Sequence, residues 1–411
     1  MNTTLPYKLG RNLLAAASLC ALCVCLNSNI LAADPEPVDF NRAQQLFNKS
    51  KQGEKLSVDD QAYLDRAKAA RRGGQRGKAA KGGEKGKADN SHPAPPPPRD
   101  STGLIPLDQM TARNDYKGQD GGLYGGGKNQ PPAAHLKAAL AEARKIVPLD
   151  ESGKPSPGGK IVLLTIGMSN TTMESGKFKE LADADPAKSP FVTIVDGAQG
   201  GKDAALWNED SSPMWQIAED RLKKAAVTPQ QVEVVWLKQA RIAPVRFGEF
   251  PKHNEEMNEH IMKSLQIAKG RYPNLRIVYL STRIYAGYAL TGLNPEPYAY
   301  ENGFAIRDLI LKQIKGDPAL NCDPAKGEVK APLLLWGPYL WADGTTPRKS
   351  DGLVWKVEDF VEKDRTHPSV QSGREKVARL LLNFLKDDPT SKPWFTMLRV
   401  LPQVDRERSK R

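Results

Sequence analysis

Five short aliphatic or β-branched runs punctuate the chain from Lys160 onward: "KIVLLTIG", "FVTIVDG", "VEVVWLK", "RIVYLST" and "APLLLWG". Between and after them lie longer amphipathic segments: "SSPMWQIAEDRLKKAAV", "FPKHNEEMNEHIMKSLQIAKG", "YENGFAIRDLILKQIKG" and the final "HPSVQSGREKVARLLLNFLKD". The runs are near-continuously apolar and bounded by Gly or polar residues, as strands buried on both faces are, and the segments carry helical spacing. Alternation of the two predicts an α/β fold, a three-layer α/β/α sandwich around a five-stranded parallel sheet with right-handed crossovers.

Upstream of this regular part the pattern changes three times. "DFNRAQQLFNKSKQGEKLSVDDQAYLDRAKAARR" has apolar residues at helical spacing, with Ser57 three residues before Asp60 in a capping arrangement, and predicts two short helices too small to form a core alone. A low-complexity stretch follows, and then a loop-rich stretch, "DGGLYGGGKNQPPAAH", leading into the helical "AAHLKAALAEARKIV". The amino terminus has Lys8 and Arg11 ahead of an apolar run from about Leu13 to Leu26, with Ala32 and Ala33 before Asp34. That run is shorter than the ~20 residues needed to cross a bilayer and reads as a secretory signal peptide rather than a permanent transmembrane segment. The expected organisation is a signal peptide over 1–33, a helical pair over 34–72, a disordered basic and Pro-rich linker over 73–102, a loop-rich extension over 103–159, the main domain over 160–390 and a tail over 391–411.

Charge and cysteine content sharpen this picture. The 411-residue chain carries a formal charge of +12, and from Arg66 to Lys87 nine Lys or Arg stand against a single Glu. With its Gly and Ala content and the following "HPAPPPP", the segment cannot bury enough apolar surface to fold and reads as a solvated spacer. Electrostatic contact with an anionic envelope polymer is its second reading. No aromatic residues interleave the basic ones, which argues against nucleic acid. Cys20, Cys23 and Cys25 fall in the leader, leaving Cys322 alone in the mature chain, so no internal disulfide is expected, and no convincing zinc set is present. The sequence calls for an exported protein with an ordinary core and no metal or cofactor.

In an open parallel sheet the ligand crevice lies outside the carboxyl ends of the strands. The residues just past the five runs are Ser169, then Asp196 to Gly201, then Lys238 and Gln239, then Arg283 and Tyr285, then Gly337 to Trp341. In "DFVEKDRTHPSVQSG" Asp364 and His367 stand three apart just before the last predicted helix, close enough for the carboxylate to orient the imidazole. An early serine with a late Asp and His makes a complete triad, in which His takes the serine proton and Asp fixes its tautomer.

On "GMSN" and "DRTHP" the chain resembles the SGNH (GDSL-like) hydrolases, over about Lys160 to Asp387. The resemblance implies that Ser169 is the nucleophile, His367 the general base and Asp364 its partner. It implies an oxyanion hole from the Ser169 amide, a glycine amide of "DGAQGG" (Gly200 or Gly201) and a side-chain amide after the third strand, for which Gln239 is the nearest candidate. Two departures stand out. Met168 occupies the place of the family's aspartate, and the family's Gly-x-Asn-Asp block is missing.

The function expected is therefore an exported serine esterase that removes O-acyl groups, such as acetyl, from a carbohydrate. Two alternatives stay open: an inactive sandwich that binds glycans through "STRIYAGY", "EPYAYENG" and "WGPYLWADG", and a flavodoxin-like domain whose "MSNTT" loop wraps a flavin or other phosphate. Asn170, Arg283, Tyr285, Tyr339 and Tyr124 are the candidate substrate contacts. Tyr124, Asn129 and His135 belong to the extension that could cover the crevice, and His253 is expected on a helix near the rim, outside the triad.

Overall fold

The computed structural model describes residues 40–51, 56–76 and 95–397. The expected leader, most of the basic linker (77–94) and residues 398–411 lie outside them. The chain divides into an upstream unit, Met1–Asp89, and a main unit, Asn90–Arg411.

The upstream unit contains α1 (Phe40–Lys51) and α2 (Val58–Arg76). Ala43 and Leu46 of the first and Leu64 and Ala67 of the second are buried. Ser57 accepts from the Asp60 amide at 3.1 Å, the capping contact expected from the sequence.

The main unit holds β1 (Ile161–Gly167), β2 (Val192–Asp196), β3 (Val232–Lys238), β4 (Ile277–Leu280) and β5 (Leu333–Trp336), all parallel, in the order β2-β1-β3-β4-β5. Every residue of β1, β3, β4 and β5 is buried, as a sheet covered on both faces requires. The chain steps one way from β1 to β2 and the other way thereafter. Right-handed crossovers then put α4 (Ser169–Ala184) on one face, where it packs against α8 (Gly373–Asp387). They put α5 (Pro213–Lys224), α6 (Lys252–Arg271) and α7 (Tyr298–Ile314) on the other, with α6 packed on α7. The strand order reverses between β1 and β3, so the crevice opens beyond their carboxyl ends.

Two expected boundaries shift. The last residues of the segment read as linker are fixed to the main unit: the Arg99 amide donates to Gly287 O at 3.0 Å. Ser101 Oγ and the Thr102 amide and hydroxyl donate to the buried Asp343 carboxylate at 2.5–2.6 Å. Gly344 makes this possible, since a Cβ there would lie 1.8 Å from Asp100 O. At the other end the tail begins within the fold. α9 (Lys392–Phe395) buries Trp394 and Phe395, and Phe395 O accepts from the Ser189 amide at 2.8 Å. The extension also includes α3 (Ala133–Ala143), whose His135 Nε2 lies 2.8 Å from Leu334 O on β5. No helix among the described residues is long and apolar enough to cross a membrane.

Candidate active site

The turn after β1 depends on a missing side chain. A Cβ on Gly167 would lie 2.3 Å from Lys238 O and 2.4 Å from Thr171 Oγ1, so glycine alone lets β1, β3 and the first turn of α4 converge. Met168 keeps extended backbone (φ −102°, ψ −164°), and Ser169 opens the helix. Its Oγ therefore sits at the amino end of a 16-residue helix, where unsatisfied amides favour negative charge.

The other half of the site is the loop before α8. Ser169 Oγ lies 2.7 Å from His367 Nε2, and His367 Nδ1 lies 2.9 Å from Asp364 Oδ2. Asp364 Oδ1 also accepts from the amides of Thr366 (2.8 Å) and His367 (3.0 Å). Burial opposes ionisation of Asp364, but these hydrogen bonds outweigh it and hold the carboxyl below its ordinary range. Arg365 takes left-handed backbone (φ 46°) within this tight loop, and Asn170 Nδ2 donates to Thr366 O at 3.1 Å, tying the loop to α4. The three residues expected to meet are thus brought together.

The "DGAQGG" loop is held against them. Asp196 accepts from Thr165 Oγ1 at 2.9 Å and from Thr172 Oγ1, and Arg221 Nη1 donates to Asp196 O and Ala198 O at 2.8 and 2.7 Å. A Cβ on Gly200 would stand 4.0 Å from Ser169 Cβ, and Gly201 (φ +73°) lines the cavity. Neither glycine amide donates within the described residues, and of the two Gly201 lines the cavity. Below the site, Lys238 Nζ binds both oxygens of Glu174 at 2.6 Å with both side chains fully buried, and burial depresses the ammonium to about 8.

A cavity of about 170 Å³ opens beside the triad. Asn170 and Arg283, expected as contacts, line it with Ser169, His367 and Gly201. Gln239 does not: its side chain is buried with neither amide atom hydrogen-bonded, and Ala240 takes its place in the wall. Side chains alternate at a strand end, so stepping one residue along reverses the side that faces the crevice.

The aromatic candidates also move away from the cavity. Tyr285 Oη donates to Arg99 O at 2.7 Å, and Tyr339 Oη accepts from the Leu107 amide at 3.1 Å; both are buried and pack the extension onto the sheet. Tyr124 lines a separate shallow depression among extension residues, with Asn129. His253 is buried 2.7 Å from Glu301, outside the triad as expected. Lys202, Arg241 and Asn294 line the cavity although the sequence singled out none of them. Lys202 had a legible signal, standing directly after "DGAQGG"; Asn294 lies in a loop without periodicity.

The loop hydroxyls of "MSNTT" are already committed. Ser169 Oγ contacts His367, Thr171 Oγ1 donates to Lys238 O at 2.8 Å, and Thr172 Oγ1 donates to Asp196. A phosphate would have to displace all three contacts, which disfavours the flavodoxin-like alternative.

No protein-family model matches the chain, and no curated protein matches it. Among solved structures, the chain is similar to a proposed acylhydrolase from Bacteroides fragilis, at 11% identity and a TM-score of 0.32 over 63% of this chain and 98% of the other. It is also similar to a GDSL-like lipase from Bacteroides thetaiotaomicron, at 10% identity and a TM-score of 0.28 over 62% of this chain and 96% of the other.

Proposed function

We propose that the protein is a serine esterase of the SGNH type that removes a short O-acyl group from a carbohydrate outside the cytoplasm. The observation that carries this assignment is the Ser169–His367–Asp364 relay, with contacts of 2.7 and 2.9 Å. Ser169 Oγ attacks the ester carbonyl while His367 Nε2 takes its proton. Asp364 holds the opposite ring nitrogen and stabilises the imidazolium. His367 returns the proton to the departing alcohol, leaving an acyl-Ser169. Water, deprotonated by His367, then attacks this ester, releasing the acid and restoring the hydroxyl.

The developing oxyanion would be met by the Ser169 amide and the free amides of Gly200 and Gly201, at the amino end of α4. Gln239, buried and absent from the cavity lining, has no part in this scheme. The confined cavity suits a short acyl group better than a long chain. The export expectation rests on the leader pattern, and the carbohydrate on Lys202 and Arg283 in an otherwise largely apolar cavity wall.

Incubation of the purified mature chain with a fluorophosphonate is expected to yield a covalent adduct mapping to Ser169, and Ser169→Ala should abolish both the adduct and hydrolysis of an aryl acetate. Persistent hydrolysis by that variant would refute the assignment. Glycan binding unaltered by it, with no turnover in either protein, would favour the inactive glycan-binding alternative.

A further inference from the structure

One buried charge in the site has carboxylates nearby but no hydrogen-bonded counter-ion among the described residues. Arg283 is 1% exposed, forms part of the cavity wall beside Ser169 and His367, and its Nε and Nη1 reach no acceptor. Its carboxylate neighbours are engaged elsewhere. Glu174 is held by Lys238 at 2.6 Å, and Asp364 by His367. Glu296 accepts from Trp341 Nε1, the Ala286 amide and the Tyr300 amide. A buried guanidinium without a hydrogen-bonded partner is costly, and such a charge in a ligand cavity is most economically completed by the ligand.

The rest of the wall has the same bias. Among the described residues no Asp or Glu lines the cavity. Lys202, at its edge, pairs with no carboxylate among the described residues. Arg241 also lines it, neutralised by Asp203 and by Glu256 at 2.8 Å. Asn294 donates its Nδ2 to Arg241 O at 3.2 Å and leaves Oδ1 without a donor. The wall thus offers two cations with no hydrogen-bonded carboxylate, Arg283 and Lys202.

We propose that the natural ester is anionic: an acylated glycan bearing a carboxylate, which Arg283 binds from the cavity wall and Lys202 attracts at the mouth. This inference rests on the esterase assignment for its ester and on Arg283, with Lys202, for its charge. A planar guanidinium suits a carboxylate because it can present paired N–H donors. The competing role for Arg283, donation to the oxyanion, would serve every ester alike, whereas an anion anchor discriminates by substrate charge.

The test compares methyl O-acetyl-glucuronide with methyl O-acetyl-glucoside, acetylated at the same position, on the full mature chain. The uronide is expected to have a kcat/KM at least about tenfold higher at low salt, carried by KM and eroded as salt rises. In Arg283→Gln this preference should collapse, and Arg283→Lys should restore part of it. Lys202→Glu, at the cavity mouth, should weaken the preference in a variant whose folding does not depend on a buried site. Equal kcat/KM for the two esters in the wild type would overturn the proposal. So would an Arg283→Gln variant that loses kcat equally on both. Calorimetry on Ser169→Ala with methyl glucuronide and methyl glucoside reads the charge preference without turnover. Uronide binding with no hydrolysis of any ester would sink the esterase assignment and leave the anion site standing, while equal binding of the two sugars would refute the anion site itself.

Discussion

Asp364 shows how much of this site is settled by single atoms. Its two oxygens accept three hydrogens from its own loop, and the ring nitrogen it receives is the one facing away from Ser169. Asp364→Asn preserves size but presents an amide hydrogen to His367 Nδ1, favouring the wrong tautomer. The expected loss is about 10³–10⁴-fold in kcat on an aryl acetate, with the fold retained by circular dichroism. The same substitution bears on stability. A carboxyl held below its ordinary pKa contributes stability that is complete above its unfolded value and is lost as pH falls through the folded one. Denaturant titrations should therefore show a shallower acid-side decline for Asp364→Asn than for the wild type. Ser169, Asp364 and His367 were legible in the sequence because their residue types and loop positions suffice to nominate them. Gln239 was misplaced because distance along a strand does not say which way a side chain points.

At the scale of elements, α4 and α8 bring the two halves of the triad together, and Asn170 is the link between them. Its Nδ2 reaches Thr366 O from the first turn of α4, and the side chain is buried. Removing this contact leaves a buried carbonyl unpaired, at a cost of about 1–3 kcal/mol. Asn170→Ala is expected to lower kcat roughly tenfold, with KM for a small neutral ester changing much less, because the base is displaced from the serine. A rise in KM at constant kcat would instead make Asn170 a substrate contact. The five strands could be read from sequence because doubly covered strands are almost wholly apolar. The extension could not be read in the same way. Tyr285, Tyr288 and Tyr339 lie in loops with no period, and their hydroxyls bind Arg99, Asp100 and Leu107, contacts that only the fold brings near.

For the main unit, its amino-terminal limit is set by contacts rather than composition. A chain beginning at Pro95 should fold with the thermal stability of the longer protein. One beginning at Gly103 loses the Ser101 and Thr102 bonds to Asp343 and leaves a buried carboxylate short of donors. Its Tm should be lower, and equal Tm values would show the Ser101 and Thr102 bonds to be dispensable. A second whole-molecule effect comes from Glu233, fully buried on β3, with Oε2 unpartnered and Arg276 Nε 3.8 Å away. Burial pushes its carboxyl up to about 8. The folded protein therefore keeps a proton that the unfolded chain releases near 4.5, and stability falls as pH rises between those values. Glu233→Gln should flatten this decline, gaining on the wild type by on the order of 5 kcal/mol across the window in urea titrations.

The short contact between Ser169 and His367 joins positions 198 residues apart. During synthesis at about 5–20 residues per second, the serine emerges on the order of 10–40 s before the histidine that would activate it. A nascent chain, or any fragment ending before residue 367, therefore holds a serine with no base. The proposed triad is thus completed only once His367 has been made and the loop before α8 has folded back onto α4.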